Sequence, residues 1–302
     1  MLSKSKAILS RNARHLRPKR PNRGILIAFT VVFVIYSIVL LFPFLWIFLN
    51  SFKDGIKEFT DNPWGLPHNW KFENYTVLFN MEFNFVEMFV NTIILSAAVP
   101  TATCISTVLA AYVMAKYKFK GHRILYAIYL IPMLVAITGT TSALYLLMDN
   151  LGLIGYPNGI FAIILMSAGG TGFNFLLVYS LFKTVDNAYM EAARIDGANE
   201  FRIFGQIMLP HAMGLVGTLW VLGFIGTWND YATPKIFLGG DAFTIATGIE
   251  EISRMVETAD PVMMQNYPAY FAAIILSILP IVIIFFIFQK QIMKISLGGG
   301  IK

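Results

Sequence analysis

The sequence predicts an all-α integral membrane protein of six transmembrane helices. Three observations carry that reading: six apolar stretches of membrane-spanning length, no Asp, Glu, Lys or Arg inside any of them, and an alternation of the basic residues between them. Composition agrees, because 57% hydrophobic residues with 13% charged leaves too little polar surface to clothe a soluble core.

The stretches are residues 25–49, 88–115, 124–148, 160–182, 212–228 and 269–288. Each is near the roughly 17 to 25 residues that a helix needs to cross a hydrocarbon core. The first follows a basic tail and so has the outline of a signal peptide, but it is too long for a cleaved core and no small-x-small site follows it. It is expected to remain as a helix. Pro43, Pro100, Pro132 and Pro280 lie within spans, and Gly169, Gly170 and Gly172 cluster in the fourth. Neighbouring helices re-satisfy backbone groups freed at such residues, so ordinary kinks are expected. Gly214, Gly217, Gly223 and Gly226 in the fifth span read as sites of close helix approach.

Of the 23 Lys and Arg residues, 18 lie in the N-terminal tail, the second and fourth connections and the C-terminal tail, leaving 5 for the other three connections. The positive-inside rule then puts both termini in the cytoplasm. Acidic residues lean outward, 13 of 17. The formal charge of +6 therefore reflects topology, and no nucleic-acid partner is implied. The domain plan is a basic tail over 1–24, a permeation domain over 25–289 and a C-terminal tail over 290–302. Cys104, alone and within an apolar run, excludes an intrachain disulfide or a cysteine metal site and reads as a packing residue.

The cytoplasmic connection 183–210 is long and amphipathic. Asp186 suits an N-cap, Ala188, Ala192 and Ile195 share one helical face, and Gly197 ends a first short helix. Phe201, Phe204 and Met208 recur at helical spacing in a second, and Pro210 punctuates the start of span five. Periodicity alone leaves two readings open: a helix pair that anchors the loop at the membrane surface, or one that docks a partner.

Glu191-Ala192-Ala193, then Gly197, then Ile207-x-Leu209-Pro210 resembles the EAA loop of ABC importer permeases, and Arg194-Ile195-Asp196-Gly197-Ala198 is similar to the version in maltose-type carbohydrate permeases. Shorter similarities lie at Asn50-Ser51-Phe52-Lys53 and Trp228-Asn229-Asp230. The Pro and Glu that commonly precede the motif are here Asp186 and Ala188. The resemblance implies the type I importer fold in a bacterial or archaeal inner membrane. It also implies that Glu191, Ala192, Ala193, Gly197, Ile207, Leu209 and Pro210 couple to a cytoplasmic ATPase dimer. Implied partners are a second permease subunit and an extracytoplasmic solute-binding protein, with the external connection 229–268 as a candidate docking surface or simply a solvated loop.

No GxxxxGK[ST] occurs, so the chain carries no P-loop. ATP and Mg are expected on the partner ATPase, with no cofactor, metal site or catalytic residue in this chain. A secondary transporter would place an ionisable group inside a span, and none is present. A membrane-embedded enzyme would converge acids or histidines, and His15, His68, His122 and His211 show no ligand spacing. Polar groups in the spans are few and neutral; Asn91, Thr141, Asn174 and Tyr179 are the substrate-path candidates. Each could equally form a helix–helix hydrogen bond. Neutral amides and hydroxyls suit a sugar, and a glycerophosphate is the alternative cargo.

Overall fold

The computed structural model describes residues 23–80, 85–134, 139–170, 172–240, 242–258 and 266–298, with side chains through Gln289. Most of the basic tail, Thr138, Asp241, Asp260 and residues 299–302 lie outside the described residues. Among the described residues the regular structure is helical, without a strand.

The chain divides into two units, Met1–Leu49 and Asn50–Lys302. The first carries all but the last residue of α1 (Arg23–Asn50), a helix apolar around its whole circumference and therefore without an aqueous face. Its two aliphatic mid-helix hydroxyls are satisfied internally: Thr30 Oγ1 donates to the Leu26 carbonyl at 2.9 Å and Ser37 Oγ to that of Phe33 at 2.8 Å. That arrangement suits lipid, which offers no alternative acceptor.

The second unit begins with α2 (Gly55–Asp61), α3 (Glu73–Phe79), α4 (Phe85–Lys116) and α5 (His122–Leu134). It continues through α6 (Thr141–Asn150), α7 (Asn158–Ser167), α8 (Phe173–Thr184), α9 (Ala188–Ile195) and α10 (Glu200–Ile203). A π-helical turn (Phe204–Met208) leads into α11 (Leu209–Trp228), followed by α12 (Ala232–Phe237), α13 (Ile245–Glu257) and α14 (Tyr267–Gly298). The spine is α4, which enters all three buried clusters. Phe85 and Met88 pack with Trp228, Ile252 and Ala272; Leu95 packs with Ala162 and Phe237; Val108 and Tyr112 pack with Phe175, Phe182 and Ala212.

Among the described residues, four helices are long and apolar enough to cross a membrane: Arg23–Asn50, Phe85–Lys116, Glu200–Trp228 and Tyr267–Gln289. The stretches expected as spans three and four are each built from two shorter helices, α5 with α6 and α7 with α8. In the fourth, the glycine cluster is a break rather than a kink. Gly170 and Gly172 take φ of +55° and +76°, and a Cβ on Gly170 would lie 2.5 Å from the Thr107 backbone nitrogen. The carbonyls freed there find α4, with Thr103 Oγ1 donating to Ser167 O at 2.9 Å and Thr107 Oγ1 to Gly170 O at 3.2 Å. Of the four glycines in span five, only Gly223 meets a neighbour, its missing Cβ making room for Pro100 at 2.8 Å; around Gly214, Gly217 and Gly226 the space is open.

The described parts of two connections carry structure of their own. Asn50 to Lys53 is folded onto α3, where Asn74 Nδ2 donates to the Ser51 and Lys53 carbonyls, both at 2.9 Å. Lys53 is buried and donates to the Asn62 carbonyl; burial lowers its pKa, opposed by nearby Glu58. In 229–268, α13 starts with a capping box between Thr244 and Thr247, and Lys235 pairs with Glu250 at 2.7 Å.

Candidate functional site

The EAA-like segment is built on α9. Asp186, the N-cap the sequence predicts, stands one residue before the cap position, which is Asn187; its Oδ1 accepts the Ala188 N–H at 3.0 Å. At the other end Gly197 N–H donates to Arg194 O at 3.0 Å and Ala198 N–H to Ala193 O at 2.9 Å, with Gly197 at φ +77°. These two bonds define a Schellman motif, whose left-handed residue is glycine for want of a Cβ penalty. No neighbour lies within 4 Å of the absent Gly197 Cβ, so backbone geometry alone selects glycine within this chain.

Both ends of α9 are tied to the Lys116 end of α4. Lys116 Nζ donates to Val185 O at 2.5 Å and to Asn187 Oδ1 at 2.9 Å. Tyr117 donates to the Glu200 carboxylate, which also pairs with Arg194 at 2.9 Å. That pairing raises the pKa of the exposed Arg194, while the Tyr117 phenol is raised first by burial and then by Glu200. Asn199 caps α10 by accepting the Arg202 N–H at 2.9 Å. Nothing in the periodicity of 183–210 signals Lys116 or Tyr117; they stand beyond the preceding spans, at the apolar-to-basic boundary of Ala115-Lys116-Tyr117-Lys118.

The helix has two distinct sides. Met190 is 3% exposed and turns inward with half-buried Ala193. Ala188, Glu191, Ala192 and Ile195 form an exposed stripe, with Ile195 86% exposed. Among the described residues, no side chain pairs with the Glu191 carboxylate. The face that carries Ala188, Ala192 and Ile195, which periodicity leaves open to membrane anchoring or partner docking, is thus exposed in this chain.

One expectation needs correction. Phe201 does not join Phe204 and Met208; it is 88% exposed, and Ile203 is buried in its place. Pro210 falls in the first turn of α11, at the start of span five where the sequence puts it. The difference at Phe201 comes from the π turn. Leu209 N–H bonds to Phe204 O five residues back, so inward positions fall at Ile203 and Met208, five apart. The wide turn just before Pro210 also accommodates a ring that would otherwise crowd a preceding carbonyl. Ile207 and Leu209 are half-buried against the Phe175 cluster, and Pro210 is exposed.

The substrate-path candidates are scattered. Buried Asn91 donates to Phe243 O at 3.2 Å, linking α4 to the turn before α13. Tyr179 is buried, with ring centroids 5.0 Å from Tyr126 and 5.7 Å from Phe175. Thr141 and Asn174, at the starts of α6 and α8, are half-buried. No described hydrogen bond or ring contact joins any two of the four.

Residues 102–294, which include α9, match the family described as binding-protein-dependent transport system inner membrane component. The chain belongs to that family. It is accordingly a permease subunit and not an enzyme. Among relatives of this transport family, the diacetylchitobiose uptake system permease protein NgcG of Streptomyces coelicolor is 28% identical, over 86% of this chain and 83% of its own length. The maltodextrin transport system permease protein MalD of Streptococcus pneumoniae is 30% identical, over 88% of this chain and 91% of its own. A bacterial ABC transporter that imports the acidic polysaccharide alginate shares the fold, with a TM-score of 0.73 at 24% identity over 91% of this chain and 98% of that one.

Proposed function

We propose that this permease forms half of the translocation path of a binding-protein-dependent carbohydrate importer, with α9 docking into a cytoplasmic ATPase. The observation that supports docking most is the stripe of Ala188, Glu191, Ala192 and Ile195, exposed on a helix whose two ends are fixed by side chains of this same chain. Small alanines admit a close partner, Glu191 offers a charge, and Ile195 offers apolar area that would gain from burial. The carbohydrate reading is supported by the uptake systems of NgcG and MalD and by the neutral polar groups in the spans.

In this reading the chain crosses the bilayer six times, spans three and four as paired half-length helices, with both termini cytoplasmic. A second permease completes the path, a solute-binding protein delivers cargo from outside, and ATP with Mg is hydrolysed on the partner ATPase. Half-buried Thr141 and Asn174 are the better-placed of the path candidates, because Asn91 and Tyr179 already have partners within the fold.

The test is reconstitution of the complete importer with a panel of oligosaccharide-loaded binding proteins, reading ATPase rate and uptake. One sugar should raise both. Stimulation by a glycerophosphate and by no sugar would overturn the cargo assignment, and hydrolysis of ATP by this chain purified alone would overturn the division of labour.

A further inference from the structure

We propose that the connection between α4 and α5 is a binding site for the headgroup of an anionic phospholipid. The chain here reads Lys116-Tyr-Lys-Phe-Lys-Gly-His-Arg123, and no carboxylate occurs from residue 116 to the end of α5 at Leu134. Lys116 is already committed to the α9 anchor. The other three cations, Lys118, Lys120 and Arg123, are exposed, and among the described residues none has a carboxylate partner. A cavity of about 700 Å³ lies between two of them, lined by Lys118, Phe119, Gly121, His122, Arg123 and Ile124, with Lys120 adjacent in the chain.

The loop is held in shape rather than trailing in solvent. His122 Nε2 donates to the Met114 carbonyl at 2.7 Å, folding the turn back onto the end of α4. Gly121, at φ +91°, accepts the Leu125 N–H at 3.0 Å and so starts α5. The cations are therefore presented from a fixed backbone, which lowers the entropy lost when an anion is bound.

Continuity with an apolar face selects a lipid over a soluble anion. Beginning at the rim of the cavity, α5 exposes Ile124, Leu125, Ile128 and Ile131, each at least 41% exposed, and the helix contains no buried residue. A phosphate seated between Lys118 and Arg123, beside Lys120, would leave its acyl chains lying along those apolar side chains, whereas a free phosphate or a nucleotide would leave them uncovered. The site requires that the chain sit in a bilayer but does not depend on the cargo, so it stands or falls apart from the carbohydrate reading.

The test uses the complete importer in detergent, incubated with mixed micelles of phosphatidylglycerol and phosphatidylcholine, with retained lipid counted by native mass spectrometry. The unmodified complex should retain phosphatidylglycerol in preference to phosphatidylcholine. Each of Lys118→Gln, Lys120→Gln and Arg123→Gln should weaken that retention about fivefold, from the ~1 kcal/mol that a cation contributes at an anionic surface. The charge-preserving pair Lys118→Arg with Lys120→Arg should retain it. Three separate single variants keep the test valid if one of them fails to accumulate. Equal retention of the two lipids by the unmodified complex would overturn the proposal, as would undiminished phosphatidylglycerol in every neutralised variant. Loss of the ATPase subunit from those variants, with lipid retention unchanged, would assign the patch to protein docking instead.

Discussion

At Gly197 the proposed coupling can be tested apart from folding, because no heavy atom of this chain beyond its immediate neighbours lies within 4 Å of its absent Cβ. The first cost of valine there is therefore the left-handed backbone itself, about 1 to 2 kcal/mol at φ +77°. A bundle with three buried clusters should tolerate that, whereas a partner fitted against the turn should not. Gly197→Val is expected to lower uptake roughly tenfold or more, the equivalent of about 1.4 kcal/mol of docking free energy, with the permease at normal abundance in the membrane. Gly197→Asn, which tolerates positive φ, should fall between the two. Glu191→Lys should match the valine variant, since it reverses an exposed charge without disturbing any described side-chain contact. Uptake of the cognate sugar and immunoblotting of membranes distinguish the outcomes; loss of abundance in both variants would move these residues from docking to folding. The helix-ending glycine was legible in sequence because capping is local chemistry. Lys116 and Tyr117 were not, because their partners lie about 70 to 80 residues away, at Asn187 and Glu200.

At the scale of elements, the π turn decides which residues of the α10–α11 helix face inward. A period of 3.6 applied to the sequence groups Phe201 with Phe204 and Met208. The extra residue in the turn shifts the register and buries Ile203 instead. The two positions should therefore respond in opposite ways. Ile203→Ala removes a fully buried side chain and should cost about 2 to 5 kcal/mol, seen as a lower melting temperature of the purified complex. Phe201→Ala should change stability by no more than about 0.5 kcal/mol while weakening co-purification of the ATPase. The reverse pattern would mean that the π turn has been misassigned and that Phe201 faces the bundle. The same limit applies to spans three and four. Apolar length reads identically for one long helix and for two short ones, and the break at Gly170 rests on a fit against Thr107 that lies 63 residues earlier in the chain.

For the whole molecule, the charge alternation and the fold address different questions. Apolar length and the absence of internal charge made the all-helical membrane class legible, and the spaced EAA pattern made the family legible, because both are carried by short windows of chain. Which polar groups line a path was not legible. Asn91 and Asn174 look alike in sequence, yet one is consumed by the Phe243 carbonyl and the other is half-buried. The account as a whole requires α9 to face the cytoplasm and to touch an ATPase there. A single-cysteine permease tests both at once, because the native thiol, Cys104, is buried and can be replaced by alanine at small cost. With Ala192→Cys in that background, the expected result is no labelling by a membrane-impermeant maleimide added to intact cells, labelling after permeabilisation, and a cross-link from residue 192 to the ATPase in the assembled importer. Labelling from outside intact cells, or an assembled importer in which residue 192 cross-links to no ATPase subunit, would contradict it.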